Sequence, residues 1–96
     1  MKTEYQNSII LRLKKIRMEF GYSQKNVAML LGISPGQMGN IESPKAANKY
    51  TLNQIYILCK EFNTPIEQIF IDDDEYGRGS DIINLLITKI IKYGEK

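Results

Sequence analysis

The 96-residue sequence contains no histidine, no tryptophan and a single cysteine, Cys59. Without histidine, the His-based general acid–base sets and the His ligands of zinc sites are excluded. One cysteine cannot close an intrachain disulfide, so this is not a small disulfide-stapled scaffold. No stretch approaches the roughly 20 apolar residues that a membrane helix needs. The first apolar run, Ile9-Ile10-Leu11, is cut by Arg12 and does not read as a signal peptide. No Ser/His/Asp set, paired-carboxylate site or phosphate-cradling glycine loop is present, so no enzyme is expected. The acidic run Asp72-Asp73-Asp74-Glu75 fails as a calcium loop, because Ile83 falls where the twelfth, acidic ligand belongs. The expectation is a soluble, cytoplasmic protein with no metal, no cofactor and no membrane contact.

What is present is an ordinary globular balance, 43% hydrophobic and 25% charged, with a net charge of +2. That charge is unevenly spread. Residues 1–49 carry eight basic residues against three acidic, or +5; residues 50–96 carry five against eight, or −3. One end suits a polyanion and the other does not. Charge also fluctuates along any short chain, so motifs must decide.

The periodicity is helical. Ile9, Leu13, Ile16 and Phe20 form a one-face stripe, with Asn7 or Ser8 as its cap and Gly21 as its end. The basic residues Arg12, Lys14 and Lys15 on that helix read as a solvated face. Ser23 caps a second helix with Val27, Ala28 and Leu31 on its apolar side, and Gly32 stops it. Ser34-Pro35 opens a third, with Met38 and Ile41 as its apolar residues, and Pro44 prevents continuation. After a loop over residues 43–50, a Thr51-x-x-Gln54 capping box starts a fourth helix burying Ile55, Leu58, Cys59 and Phe62. A second box, Thr64-x-x-Glu67, starts a short fifth with Ile66, Ile69 and Phe70 inward. Residues 72–80 read as an acidic, Gly-containing linker. In residues 81–93, Ile82, Ile83, Leu86, Ile87, Ile90 and Ile91 recur in pairs four apart. That suits a helix capped by Ser80 or Asp81; its β-branched content leaves a strand open. The organisation is thus all-α: a domain over residues 1–71, a linker over 72–80, and a C-terminal apolar element over 81–96.

The stretch from Tyr22 to Glu42 is helix, glycine turn, helix, with Ser-Gln at the first start and Ser-Pro at the second. With Gln24, Ala28, Gly32, Ile33-Ser34 and Ile41-Glu42 at its key positions, the chain resembles the Cro and phage-repressor (Xre-type) helix-turn-helix family. Leu13-Lys14-Lys15-Ile16-Arg17, Gly21 and the later Leu52, Ile55, Leu58 and Phe62 also fit, so the resemblance spans about residues 9–70. It implies a five-helix, lambda-repressor-like domain whose third helix lies in the DNA major groove. It places Pro35, Gly36 and Gln37 near base edges, with Asn40 one turn later. Amides such as those of Gln37 and Asn40 can pair with adenine. The resemblance also puts Gln24 beside a phosphate, gives Ser34 a phosphate contact or a cap, and pairs Arg17 with Glu42 in an internal salt bridge.

There are departures. The third helix has no Arg or Lys to read guanine. Gly36 and Gly39 weaken it, or admit close approach to the DNA backbone or to thymine methyls. Pro44 stands where the family often has glycine. Lys45 and Lys49, in the loop, are the remaining candidate phosphate contacts. The apolar residues of 81–93 exceed what one small domain covers, and suit two-fold self-association. Two functions therefore stand at this point. One is a homodimeric, sequence-specific DNA-binding transcriptional regulator, a repressor. The other is a protein-interaction module, or antitoxin-like partner-binding protein, with weak DNA reading.

Overall fold

The computed structural model describes residues 1–75 and 81–95. Among these, the chain forms six α-helices and no strand. They are α1 (Glu4–Glu19), α2 (Gln24–Leu31), α3 (Pro35–Glu42), α4 (Leu52–Glu61), α5 (Ile66–Phe70) and α6 (Ile82–Gly94), with a 3-10 turn at Asp73–Glu75. The remainder of the expected linker, including the candidate cap Ser80, lies outside the described residues.

Side-chain caps set most of the starts. Thr3, Ser23, Ser34 and Thr51 each accept from the backbone N–H three residues on, and each donates its own backbone N–H to the side-chain oxygen of that residue, Gln6, Asn26, Gln37 or Gln54. Such boxes satisfy two orphan helix donors at once. Two expectations fail here. Helix α1 begins at Glu4 under a Thr3 cap, ahead of Asn7 and Ser8. Helix α5 has no side-chain cap, because it starts at Ile66, one residue too late for Thr64 to serve. The Thr64 hydroxyl instead donates to the Phe62 carbonyl at 3.1 Å. Residues 82–94 are helix, with Asp81 accepting from the Ile83 and Asn84 N–H groups. Gly21 and Gly32 take φ of 75° and 70°, a left-handed turn that glycine enters without a Cβ clash.

The buried residues come from every helix. Ile9 and Leu13 of α1 meet Val27 and Ala28 of α2, Met38 of α3, Ile55 and Leu58 of α4, and Ile69 and Phe70 of α5. Tyr50 lies at their centre, 1% exposed. Phe20 leaves the expected inward stripe: it is 56% exposed and packs at a tilt against Phe62, ring centroids 5.1 Å apart. Cys59 is buried and free, and burial pushes its thiol up to about 11.

Helix α6 returns in space to α1 and α5. Its Tyr93 ring packs edge-on against Phe70, and its hydroxyl donates to the Tyr50 carbonyl at 2.8 Å. Gln6 of α1 is buried beneath this end, its amide donating to the Tyr93 and Glu95 carbonyls. Arg12 with Asp72, and Lys89 with Glu75, tie the intervening segment down at its described end. The radius of gyration is 13.4 Å, close to the roughly 13 Å of a compact 100-residue domain. Among the described residues no helix is long and apolar enough to cross a membrane.

Candidate nucleic-acid interface

Helices α2 and α3 are joined by Gly32, Ile33 and Ser34. The turn closes through the Ile33 N–H, which donates to the Ala28 carbonyl at 3.0 Å. Val27, Ala28, Met38 and Ile41 bury the shared face of the two helices. The opposite face is displayed: Gln24, Ser34, Pro35, Gly36, Gln37 and Asn40 are all exposed.

Helix α3 is fastened at its last turn by charge. Arg17 and Glu42 form a bidentate pair, Nε to Oε2 and Nη2 to Oε1, both at 2.9 Å. Their side chains are only 9% and 2% exposed. Arg17 Nη1 also donates to the Tyr22 carbonyl at 2.7 Å, joining the α1–α2 link to the same cluster. Gln24 donates its amide to Glu42 Oε1 at 2.9 Å. A carboxylate with three donors has its charge compensated at close range, which is what makes its burial tolerable. The carboxamide of Gln24 is thus shared between the ion pair and the surface.

The candidate contact residues are not equivalent. Gln37 uses its amide oxygen to accept from the Ser34 N–H at 3.0 Å, so only its NH2 faces outward. Ser34 Oγ is the reciprocal cap, accepting from Gln37 N–H at 3.1 Å. The Asn40 carboxamide has no intramolecular partner among the described residues. An added Cβ at Gly36 or Gly39 would meet nothing nearer than Ser34 Oγ at 3.9 Å or Gln24 Oε1 at 3.8 Å. Packing therefore does not require either glycine. Lys45 is exposed on the loop after α3. Lys49 is half-buried and directed inward instead, donating to the Tyr93 carbonyl at 3.2 Å and lying over the Tyr93 ring. It is the candidate phosphate contact whose placement least suits that role.

The six residues expected to make a dimer face divide in two. Leu86 and Ile90 pack against the core of their own chain. Ile82, Ile83, Ile87 and Ile91 remain 40%, 65%, 50% and 63% exposed. Reading the whole apolar set as interface overlooks the ordinary requirement that a surface helix bury one face at home.

Two residues had no counterpart in the sequence reading. Lys2 is 7% exposed and Gln6 2% exposed, and both reach carbonyls far along the chain. The Thr3-x-x-Gln6 box signals the helix start, but nothing local signals where Lys2 goes. Among the described residues no group of three metal-ligating side chains comes together. Set against protein-family models, curated proteins and solved structures, the chain matches none.

Proposed function

We propose that this chain is a sequence-specific DNA-binding transcriptional regulator, a cytoplasmic repressor that acts as a homodimer. On this reading α1–α5 are a lambda-repressor-like helix-turn-helix domain, with α2 and α3 as the motif and α3 as the element that enters the major groove. The observation that carries it is the exposed, uncharged polar face of α3, held rigidly against α1 and α2 by the buried Arg17–Glu42–Gln24 cluster. A helix with so little apolar surface gains little from burial alone. Holding it in one orientation is what base recognition requires.

The residues take distinct roles. Asn40 has both halves of its carboxamide available and is suited to a bidentate contact with adenine. Gln37 offers donors only, to base acceptors or phosphate. Pro35 and Gly36 give the groove a surface without long side chains. Gln24, Ser34 and Lys45 are suited to phosphate contacts, and the basic excess of residues 1–49 would supply salt-dependent affinity. The exposed Ile83, Ile87 and Ile91 row seats a second copy, placing two α3 helices about one DNA turn, roughly 34–36 Å, apart.

A second reading is a protein-interaction or antitoxin-like module that keeps this fold with weak DNA reading. It is favoured by the absence of any Arg or Lys in α3. Selection from a random duplex library at moderate salt separates the two. Enrichment of a palindrome is the expected result. A folded protein that enriches no sequence favours the interaction module.

A further inference from the structure

Helix α3 ends without the glycine that commonly closes a helix, and Pro44 blocks any continuation. Its last carbonyls need other donors: the Ser43 N–H reaches those of Gly39 and Asn40 at 3.0 and 3.2 Å, the Ala46 N–H reaches that of Ser43 at 3.3 Å, and the Lys2 ammonium supplies the rest, the Ile41 carbonyl above all. Its Nζ donates to the carbonyls of Ile41 at 2.7 Å, Ser43 at 2.8 Å and Asn40 at 3.3 Å. An ammonium has three donors, and here each meets an oxygen. A cation at this position also complements the negative end of the helix dipole.

The placement is costly. Lys2 is buried, and desolvation holds its ammonium below the ordinary lysine range. No carboxylate pairs with it among the described residues. A surface lysine would be free of that cost, and a phosphate-contacting one would have to be exposed. The residue is also fixed from behind, because Thr3 caps α1 immediately after it and Gln6 anchors the next turn to the end of α6.

We infer that Lys2 is a positioning residue for α3: its ammonium closes the C-terminal end of that helix and sets where the Asn40 carboxamide emerges. This rests on the DNA-reading proposal above. The clamp itself does not.

The test uses the full chain and two readouts. Lys2→Met keeps the aliphatic stem and removes the donors. Hydrogen exchange followed by NMR is expected to show α3 amides from Asn40 to Ser43 losing protection, with α4 unchanged. Binding is compared on a duplex enriched by the library selection and on a shuffled duplex of equal composition. The ratio of the two affinities is expected to fall about tenfold, within the discrimination that one bidentate amide–adenine pair supplies. The salt slope should stay constant, since no phosphate contact is lost. In an Asn40→Ala background, Lys2→Met should lower the ratio no further, because the two act through one contact. Equal weakening on both duplexes with a shallower salt slope would make Lys2 a phosphate contact and overturn the inference. So would additive losses in the cycle, or unchanged exchange at α3. If Lys2→Met does not fold, Lys2→Gln, which keeps amide donors, runs the same cycle. A wild-type protein that binds both duplexes alike overturns the positioning role together with the regulator reading, and the exchange data then decide the clamp alone.

Discussion

Helices α3 and α6 are held by different balances of polar and apolar contact. Helix α3 has eight residues, two of them glycine, and Met38 and Ile41 as its buried apolar side chains. Besides that packing, polar contacts at its ends hold it: the Ser34 box, the Glu42 ion pair and the Lys2 ammonium. Helix α6 has thirteen residues and is apolar along most of its length. It is held chiefly by Leu86, Ile90 and Tyr93, with polar ties from Gln6 and Lys49 at its end and a Lys89–Glu75 pair, and still leaves a row of isoleucines in water. The contrast separates two ways of presenting a helix. Polar end-fastening leaves the outward face of α3 free of apolar surface, which suits a hydrated, charged partner such as a DNA groove. Apolar fastening leaves α6 with a surplus that suits a second apolar surface.

The largest expected effect breaks the fastening of α3. Arg17→Met or Glu42→Ala strands one charge in a nearly dry site, and each should cost about 3–5 kcal/mol. That is a large part of the total stability of a domain this size, about 5–15 kcal/mol. Urea unfolding monitored by circular dichroism measures it. The double variant Arg17→Met/Glu42→Leu should lose less than either single one, because no charge is left unpaired. Single variants that each lose under about 1 kcal/mol would mean that α3 is held by packing, as α6 is, and the contrast would fail.

The matching experiment on α6 is milder. Tyr93→Phe keeps the ring against Phe70 and removes the hydroxyl that donates to the Tyr50 carbonyl. A buried acceptor left unsatisfied should cost about 1–3 kcal/mol. Amide exchange should rise chiefly in the last turn of α6. A loss spread evenly over α1–α4 would instead make Tyr93 part of the central core rather than an anchor for one helix.

A third change should stabilise. Gly36→Ala and Gly39→Ala each place a methyl where 3.8–3.9 Å of room exists, in a helix that glycine weakens. Gly39→Ala should add about 1 kcal/mol and Gly36→Ala, in the first turn, less, read as a higher melting temperature. The same variants sharpen the role of the α3 face. If they raise stability while lowering duplex affinity, the glycines serve an external surface rather than the fold. A lower melting temperature would show that this stretch of α3 is less regular than its contacts imply.

Much of the local structure was legible because it is coded within three or four residues. Ser23, Ser34-Pro35 and Thr51-x-x-Gln54 each mark a start, and Gly32 marks a stop, through contacts that neighbours in sequence must make. Errors arose where a tertiary contact decided. The start of α1 is the exception: the Thr3-x-x-Gln6 box codes it locally, ahead of the apolar stripe that begins at Ile9, and only the bond from Gln6 to the end of α6 is tertiary. Phe20 fits the apolar stripe by spacing, yet lies where the helix has run past the core, over Phe62. Tyr93 was no part of the apolar pattern of residues 81–93, although it is the most buried residue of α6. In the candidate interface, exposure follows from the helix period and could be read directly. The occupied amide oxygen of Gln37 needs the observed rotamer. The inward turn of Lys49 depends on Tyr93, and the reach of Lys2 on the end of α3, neither of which any local pattern encodes.

The smallest expected change in fold stability separates the two rows of α6. Ile87 is 50% exposed, and Ile90, three residues on, packs against the core. Ile87→Lys should alter unfolding free energy by no more than about 0.5 kcal/mol, as surface changes usually do. Sedimentation equilibrium should nevertheless record a change from dimer to monomer, because a lysine ammonium in an apolar interface must be desolvated without a partner. Ile90→Lys should destabilise the chain itself, since the same charge then falls on the core side. A dimeric Ile87→Lys protein would remove the exposed row from the proposed interface. A destabilised one would show that Ile87 is covered at home, and that α6, like α3, presents no apolar surplus.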